Sequence, residues 1–310
     1  MDFWTIILTI TGLCLFETVS SIDNAVINAG VLSTMNRKSR RWFLLWGILI
    51  AVFVVRGLLP WLIVFISAPE IGFLQSFTAT FSSDPMVIEA IEKAAPMMLA
   101  GGGIFLIFLF FHWLFLEPKN YGLWGEQFIY RQGVWFYAVV SVLLTLIVWF
   151  ALQQNPMMAF GAIVGSTAFF ITHGFKENAE HSEKNLMKRG SSDIAKILYL
   201  EVIDSTFSID GVLGAFAFTL SVPLILIGNG LGAIVVRQMT VGNIDRVKKY
   251  LFLKNGAMYS VLFLGLIMLL DAFGFHIPPW VSPVTTFGTI GYFFLKSKKH
   301  LKLLDPTNAA

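Results

Sequence analysis

Two short acidic motifs lie inside long apolar runs of this chain. Residues 17–24 read ETVSSIDN and residues 204–211 read DSTFSIDG, and the two align without a gap. The aligned pairs are Glu17 with Asp204, Ser21 with Ser208, Ile22 with Ile209, and Asp23 with Asp210. A carboxylate near the centre of a membrane-spanning helix costs about 2.5–3.5 kcal/mol on insertion scales, so acids at such positions indicate function.

The polar residues of the two motifs and their neighbourhood offer only oxygen as a ligand atom. The predicted metal ligands are Glu17, Ser21, Asp23, Asn24, Glu201, Asp204, Ser208 and Asp210. Oxygen donors favour hard divalent cations such as Mn²⁺, Mg²⁺ or Ca²⁺ over Cu⁺ or Zn²⁺. The carboxylates carry more charge than one divalent ion neutralises, so the empty site is expected to bind protons or to pair with Arg56 and Arg237. Purely structural pairs, Glu17 with Arg56 and Asp204 with Arg237, are the alternative interpretation.

The spacing within each motif places its acids on different helix faces. At ~100° per residue, Glu17 and Ser21 share a face, whereas Asp23 lies about 240° round from Glu17. Asp204 and Asp210 repeat this separation. A single site that uses all these groups therefore requires a break in both helices, as in transporters whose ion sites lie at the bilayer midplane.

The composition indicates a polytopic membrane protein that is all-α. Of 310 residues, 56% are hydrophobic and 13% charged, with thirty Phe and nine Trp. Cys14 is the single cysteine, which excludes an internal disulfide and a cysteine-based metal cluster within one chain. Stretches of roughly 20 apolar residues predict about nine transmembrane helices. They lie near 3–34, 42–67, 94–116, 133–152, 156–173, 194–221, 223–243, 256–273 and 279–295.

Basic residues concentrate in loops that nine spans would place on one side of the membrane. Such loops follow the first, fifth and seventh spans, and the C-terminal tail is basic too. The positive-inside rule then puts the N-terminus outside and the C-terminus in the cytoplasm, for a multi-pass protein of the bacterial cytoplasmic membrane. The first apolar run lacks a basic region and a cleavage site, so we interpret it as a retained span.

The two motifs lie on spans of opposite direction, which predicts an inverted repeat of three plus three helices. A second landmark agrees, since residues 47–56 and 228–237 both end in Val-Val-Arg with Gly nine residues earlier. The predicted organisation is a first repeat at 1–116, linker helices and a cytoplasmic loop at 117–193, a second repeat at 194–273, and a last helix with a basic tail at 274–310.

Other polar residues in the chain carry weaker signals. His112 lies among Phe residues and is expected to be packed or interfacial rather than a ligand. His173, Glu177 and His181 share a helical face in the loop at 173–196, where a solvated charged helix is favoured over a peripheral metal site. The glycine run at 101–103 is expected to permit close helix packing.

Both acidic motifs, together with the spans that carry Arg56 and Arg237, resemble the TerC family, and the resemblance extends over nearly the whole chain. These are integral membrane proteins named for tellurium resistance and grouped with the LysE-type exporters. The resemblance implies metal-ion efflux, with manganese as the expected ion. The length of the chain and its long 173–196 loop resemble a divergent branch of that family.

The expected function is therefore a secondary transporter, not an enzyme, that exports a divalent metal ion in exchange for protons. Its expected partners are the lipid bilayer, the metal ion and protons, without nucleic acid. A membrane-embedded metal-dependent hydrolase remains a rival, although motifs such as HExxH and GxSxG are absent from the sequence. A non-transporting component of a metal-resistance complex is a second rival.

Overall fold

The computed structural model describes residues 2–47, 56–67, 69–73, 85–186, 192–242, 247 and 249–304, and the elements within these ranges are helical. The α-helices in chain order are α1 (Phe3–Ser20), α2 (Ile22–Ser33), α3 (Arg37–Trp42), α4 (Arg56–Ser67), α5 (Pro85–Leu116), α6 (Glu126–Arg131), α7 (Phe136–Gln154), α8 (Pro156–Leu186), α9 (Asp193–Ala215), α10 (Val222–Gly242), α11 (Leu253–Ala272) and α12 (Val281–Leu304). A π-helical turn, Phe43–Gly47, follows α3 directly.

Six stretches of the described helices are long and apolar enough to cross a bilayer. They are Phe3–Ser20, Ile88–Leu116, Gly133–Gln154, Pro156–Asn178, Val222–Thr240 and Leu253–Ala272. They indicate a multi-pass membrane protein of helical type. The expected number of about nine spans is not confirmed. The span expected at 42–67 lies partly outside the described residues. Helices α9 and α12, which correspond to two other expected spans, are not among the six stretches that are long and apolar enough to cross a bilayer.

Helix α5 forms the centre of the bundle, because 78% of its apolar stretch is buried, against 17% for the stretch that contains α7. It packs along α8 on one side and α11 on the other. The glycine run allows both contacts. A Cβ on Gly101 would lie 2.8 Å from the carbonyl oxygen of Gly161, and one on Gly103 would lie 2.9 Å from that of Gly265. The prediction that this run permits close helix packing is confirmed.

The first acidic motif interrupts its helix, and the second does not. Ser21 separates α1 from α2 with φ −87° and ψ 6°. Its N–H still donates to the Glu17 carbonyl oxygen at 3.1 Å, and its own carbonyl accepts from Ala25 at 2.9 Å, so the chain keeps nearly helical phase across the interruption. The expected break in the second motif is absent, since α9 runs unbroken through Asp204 and Asp210.

Helix α8 extends beyond the expected span at 156–173 and continues to Leu186. The 173–196 region is therefore helical for its first half, in keeping with a run of Lys, Glu, Asn and Ala that holds helix formers and no proline. As a result, His173 and Lys176 are carried on a long helix that packs against α5.

Candidate functional site

Six of the eight predicted ligands line two separate cavities rather than one. Glu17, Ser21, Asn24, Asp204 and Arg237 line a cavity of about 30 Å³, here called the Glu17 cavity. A second cavity of about 50 Å³, here called the Asp23 cavity, is lined by Asp23, Asp210, Glu117, Lys176 and Lys254 together with one serine and several apolar residues. The sequence predicted a single site for all these ligands, and the structure does not bring them together in one cavity.

The division follows directly from helix geometry. Six residues at about 100° each separate Glu17 from Asp23, and Asp204 from Asp210, by roughly 240°. Because α9 is unbroken and Ser21 barely disturbs the helical phase, neither pair of acids reaches a common face. The two acids that correspond in sequence nonetheless share a cavity in each case. Glu17 meets Asp204 in one, and Asp23 meets Asp210 in the other.

Glu17 is held in a slot that two glycines create. It is 1% exposed, and its Oε1 accepts a hydrogen bond of 2.7 Å from the Ser21 hydroxyl. A Cβ on Gly211 of α9 would lie 2.6 Å from Glu17 Oε2, and one on Gly232 of α10 would lie 2.6 Å from Glu17 Cβ. Gly211, where the first motif has Asn24, thus provides the space that the Glu17 carboxylate occupies.

Asn24 joins the two motifs across the Glu17 cavity. Its side-chain amide donates to Asp204 Oδ1, and the residue is 2% exposed. The Ser208 hydroxyl donates a hydrogen bond of 2.7 Å to the Asp204 carbonyl oxygen within α9. An i→i−4 bond of this kind is compatible with a continuous helix. Ser208 lines neither cavity.

Glu201 lies one turn before Asp204 and lines neither cavity. Both of its carboxylate oxygens are buried without a hydrogen-bond partner among the described residues, and Oε1 lies against Gly47 of the π-helical turn. Of the two predicted arginines, Arg237 lines the Glu17 cavity. The side chain of Arg56 lies outside the described residues.

Lys254 is a site residue that sequence reasoning missed. Its Nζ lies 2.7 Å from Asp23 Oδ2 and 2.7 Å from Glu117 Oε2, so one ammonium joins two carboxylates at the Asp23 cavity. The sequence interpretation placed Lys254 in a basic cytoplasmic loop, but α11 begins at Leu253 and carries the lysine in its first turn. The available signal was a charge at the very edge of an apolar run, a position that Glu117 also holds after α5.

The segment between α5 and α6 is anchored where it presents Glu117. The carboxylate of Glu126 accepts hydrogen bonds from the Gly122 and Leu123 N–H groups at 2.7 and 3.0 Å, and from Tyr259 Oη of α11 at 3.0 Å. Lys119 caps α5 by donating to the Trp113 and Leu114 carbonyl oxygens at 2.5 and 2.6 Å. These contacts tie the segment to both α5 and α11, and thereby fix Glu117 opposite Lys254.

Two groups in this segment have shifted pKa values. Burial alone would raise the pKa of Glu117, but its interaction with His112 and the charges of Lys254 and Lys176 outweigh burial and hold the pKa well below its usual range. Burial lowers the pKa of Lys119 to about 8, although the carboxylates of Glu126 and Glu117 oppose the shift. Glu117 is therefore ionised and available to pair with Lys254 at neutral pH.

One comparison with known proteins gives a match. No curated protein and no solved structure matches the chain. A family model with the description "Protein of unknown function (DUF475)" matches residues 22–302, which include both acidic motifs apart from the first five residues of ETVSSIDN, as well as every residue named at the Asp23 cavity. Since this match covers most of the chain, the protein belongs to the DUF475 family.

Proposed function

We propose that the protein is a secondary transporter that exports a divalent metal ion, with Mn²⁺ as the expected ion, in exchange for protons. The observation that carries the proposal is that sequence-related acids meet in pairs inside an apolar helical bundle. Glu17 shares a cavity with Asp204, and Asp23 shares one with Asp210. Carboxylates within apolar helices are costly and are typical of ion pathways.

The ligand atoms at both cavities suit a hard cation. The Glu17 cavity supplies two carboxylates together with the Ser21 hydroxyl and the Asn24 side chain, and the Asp23 cavity supplies three carboxylates. Hydroxyl, amide and carboxylate oxygens are ligands for Mn²⁺, Mg²⁺ and Ca²⁺. The donor chemistry therefore supports a hard divalent cargo over a thiophilic one.

Charge at the Asp23 cavity supports exchange rather than simple binding. Three carboxylates and two ammonium groups line it, which gives a formal charge of −1 when all are ionised. A divalent ion that enters must therefore displace an ammonium group or compete with protons, since excess charge in a low-dielectric site is costly. In this proposal Lys254 occupies the cation position beside Asp23 between turnovers, and Arg237 has the same role at the Glu17 cavity. The corresponding role of Arg56 remains a prediction.

An inverted repeat is part of the proposal. Helix α1 packs against α10, α4 packs against α9, and the third helices of the two predicted repeats, α5 and α11, pack against each other. This crosswise pattern and the pairing of corresponding acids support two repeats related by an axis in the membrane plane. The proposed orientation keeps the N-terminus outside and the C-terminus in the cytoplasm of a bacterial cell, on the distribution of Lys and Arg.

Flux measurements on the purified protein in liposomes test this function. Parental protein should move Mn²⁺ down an imposed gradient with an opposite proton flux, and raising the pH on the external side should slow export because fewer protons are available. Asp23→Asn and Asp210→Asn keep side-chain shape and remove charge, so each should abolish transport. Glu70→Gln, an exposed carboxylate outside both cavities, is the matched control and should transport normally.

Each alternative outcome has a definite meaning. Parental rates in both Asn variants would overturn the assignment of the cavities. An Mn²⁺ flux that does not depend on the proton gradient would contradict proton exchange and indicate a uniporter or a channel. Absence of flux for any divalent ion would favour the hydrolase or the non-transporting component.

A further inference from the structure

Two histidines from different helices meet beside Glu117, and neither of them lines the Glu17 cavity or the Asp23 cavity. The rings of His112 on α5 and His173 on α8 have centroids 3.7 Å apart, and His112 is 7% exposed. The close approach follows from the glycine contact between Gly101 and Gly161, because α5 and α8 run side by side in the same direction from there for about three turns.

Both imidazoles present a buried nitrogen with no hydrogen-bond partner in the described part of the chain. These atoms are His112 Nδ1 and His173 Nε2. Each has a carboxylate oxygen nearby but beyond hydrogen-bonding distance, at 3.6 Å for Glu117 Oε1 and 3.7 Å for Glu177 Oε1. Leaving a buried polar group without a hydrogen bond destabilises the fold, so two adjacent ones indicate an occupant that bonds to both nitrogens.

We propose that His112, His173 and Glu177 bind a divalent transition-metal ion of borderline softness, such as Zn²⁺, Fe²⁺ or Co²⁺, with Glu117 as a fourth ligand or an outer-sphere partner. One ligand atom from each of the three residues lies within 4.8 Å of the others. A tetrahedral site with bonds of about 2.0–2.1 Å needs ligand separations of roughly 3.4 Å, so binding requires a modest contraction. The Glu177 side chain can move to close these separations, because it is 68% exposed and lies one turn after His173 on the same helix face.

The surroundings hold the two rings in place for this role. His173 stacks on Phe169 at 5.6 Å with an interplanar angle of 7°, and His112 meets the ring of Phe136 edge-on at 5.5 Å. These contacts restrict ring rotation while the unpaired nitrogens stay near the carboxylates. His112, expected from the sequence to be a packed residue, is packed and is also assigned here as a ligand.

The chemistry of this histidine site differs from that of the proposed transport path. Imidazole nitrogen favours Zn²⁺, Fe²⁺ and neighbouring transition ions over Ca²⁺ and Mg²⁺, whereas the ligand atoms proposed at the two cavities are all oxygens. The site is nevertheless near the Asp23 cavity, because His173 lines a small neighbouring cavity together with Lys176 and Asp210. The proposal does not depend on transport, since it concerns binding alone.

Cobalt absorption of the full-length protein in detergent tests the site. Co²⁺ added to metal-stripped protein should give the intense visible bands of a low-coordinate ion with nitrogen ligands, and Zn²⁺ should displace it. Loss of an outer-sphere partner already lowers metal affinity about 10- to 100-fold, so His173→Gln and His112→Gln should weaken Co²⁺ binding at least about 10-fold. Glu177→Gln should weaken Co²⁺ binding similarly. Because the Glu177 side chain is exposed, this substitution is not expected to disturb folding.

Two controls separate this result from other effects. His276→Gln removes an exposed histidine outside the cluster and should leave the cobalt bands unchanged. The double variant Asp23→Asn/Asp210→Asn should lose transport but keep the bands, so failure of the transport proposal and failure of this one are distinguishable. Absence of the bands in the parental protein, or bands of parental affinity in both His173→Gln and Glu177→Gln, would overturn the site and leave the histidines as packing residues with a bridging water.

Discussion

A methyl group added at Gly211 should displace the Glu17 carboxylate without removing any charged or polar side chain. The Cβ of Gly211→Ala would lie 2.6 Å from Glu17 Oε2. Non-bonded heavy atoms prefer about 3.5 Å, so the carboxylate must move by roughly 0.9 Å. Metal–ligand distances tolerate only about ±0.2 Å, and a shift of this size therefore removes Glu17 from the coordination sphere of any ion in the Glu17 cavity.

Stability should change much less than ion binding. Overpacking costs about 1–3 kcal/mol, whereas replacing glycine by alanine within a helix recovers up to about 1 kcal/mol. The Glu17 carboxylate is the end of a flexible side chain, which favours the low end of that cost. We therefore expect a change in melting temperature of a few degrees at most, together with a loss of Mn²⁺ affinity of about 10-fold or more.

The assay is Mn²⁺ titration of the detergent-purified variants, followed by efflux from liposomes. Gly232→Ala provides a second, independent perturbation, because its Cβ would lie 2.6 Å from Glu17 Cβ. Gly30→Ala in α2 is the matched control, since a Cβ there meets nothing within 4 Å. If both Gly211→Ala and Gly232→Ala bind Mn²⁺ with the affinity of the parental protein, Glu17 is not a metal ligand.

Three further predictions follow from the ion pairs and hydrogen bonds around Glu117. Lys254→Met should raise Mn²⁺ affinity because it removes the competing ammonium group, and an unchanged or lower affinity in the titration would exclude this competition. The same variant should lower the free energy of unfolding by about 1–2 kcal/mol, as expected for partly exposed ion pairs. The pKa of Glu117 is lowered in the folded protein, so its carboxylate stabilises the fold above pH about 4.3 and this contribution is lost as pH falls further. Melting curves of Glu117→Gln should accordingly depend less on pH in the acidic range than parental curves, and parallel curves would contradict the assignment. Tyr259→Phe removes a hydrogen bond to the buried Glu126 carboxylate and should cost about 1.5–3 kcal/mol in unfolding experiments, with Mn²⁺ flux retained at the parental rate.

The helical architecture and the correspondence between the acids of the two motifs could be predicted from the sequence, because both depend on local pattern. Apolar runs predict helices in lipid, and the alignment identifies Glu17 with Asp204 and Asp23 with Asp210 as corresponding acids. The sequence placed all four at one site, whereas the structure divides them between two cavities. The charge at the edge of an apolar run, Lys254, was assigned to a loop instead, because the first residue of a helix cannot be located reliably from composition.

The sequence by itself determined a helical membrane protein with two corresponding sets of oxygen donors, since hydrophobicity and residue type are properties of each segment. Only the tertiary structure decided how those donors are grouped. Near-continuous helical phase at Ser21 and through α9 places the acids of each motif on different faces, and helix packing then groups corresponding acids in two cavities. The same holds for His112 and His173, whose contact depends on how closely α5 and α8 approach. Distances between helices are set by side-chain packing far apart in the chain, and no local pattern encodes them.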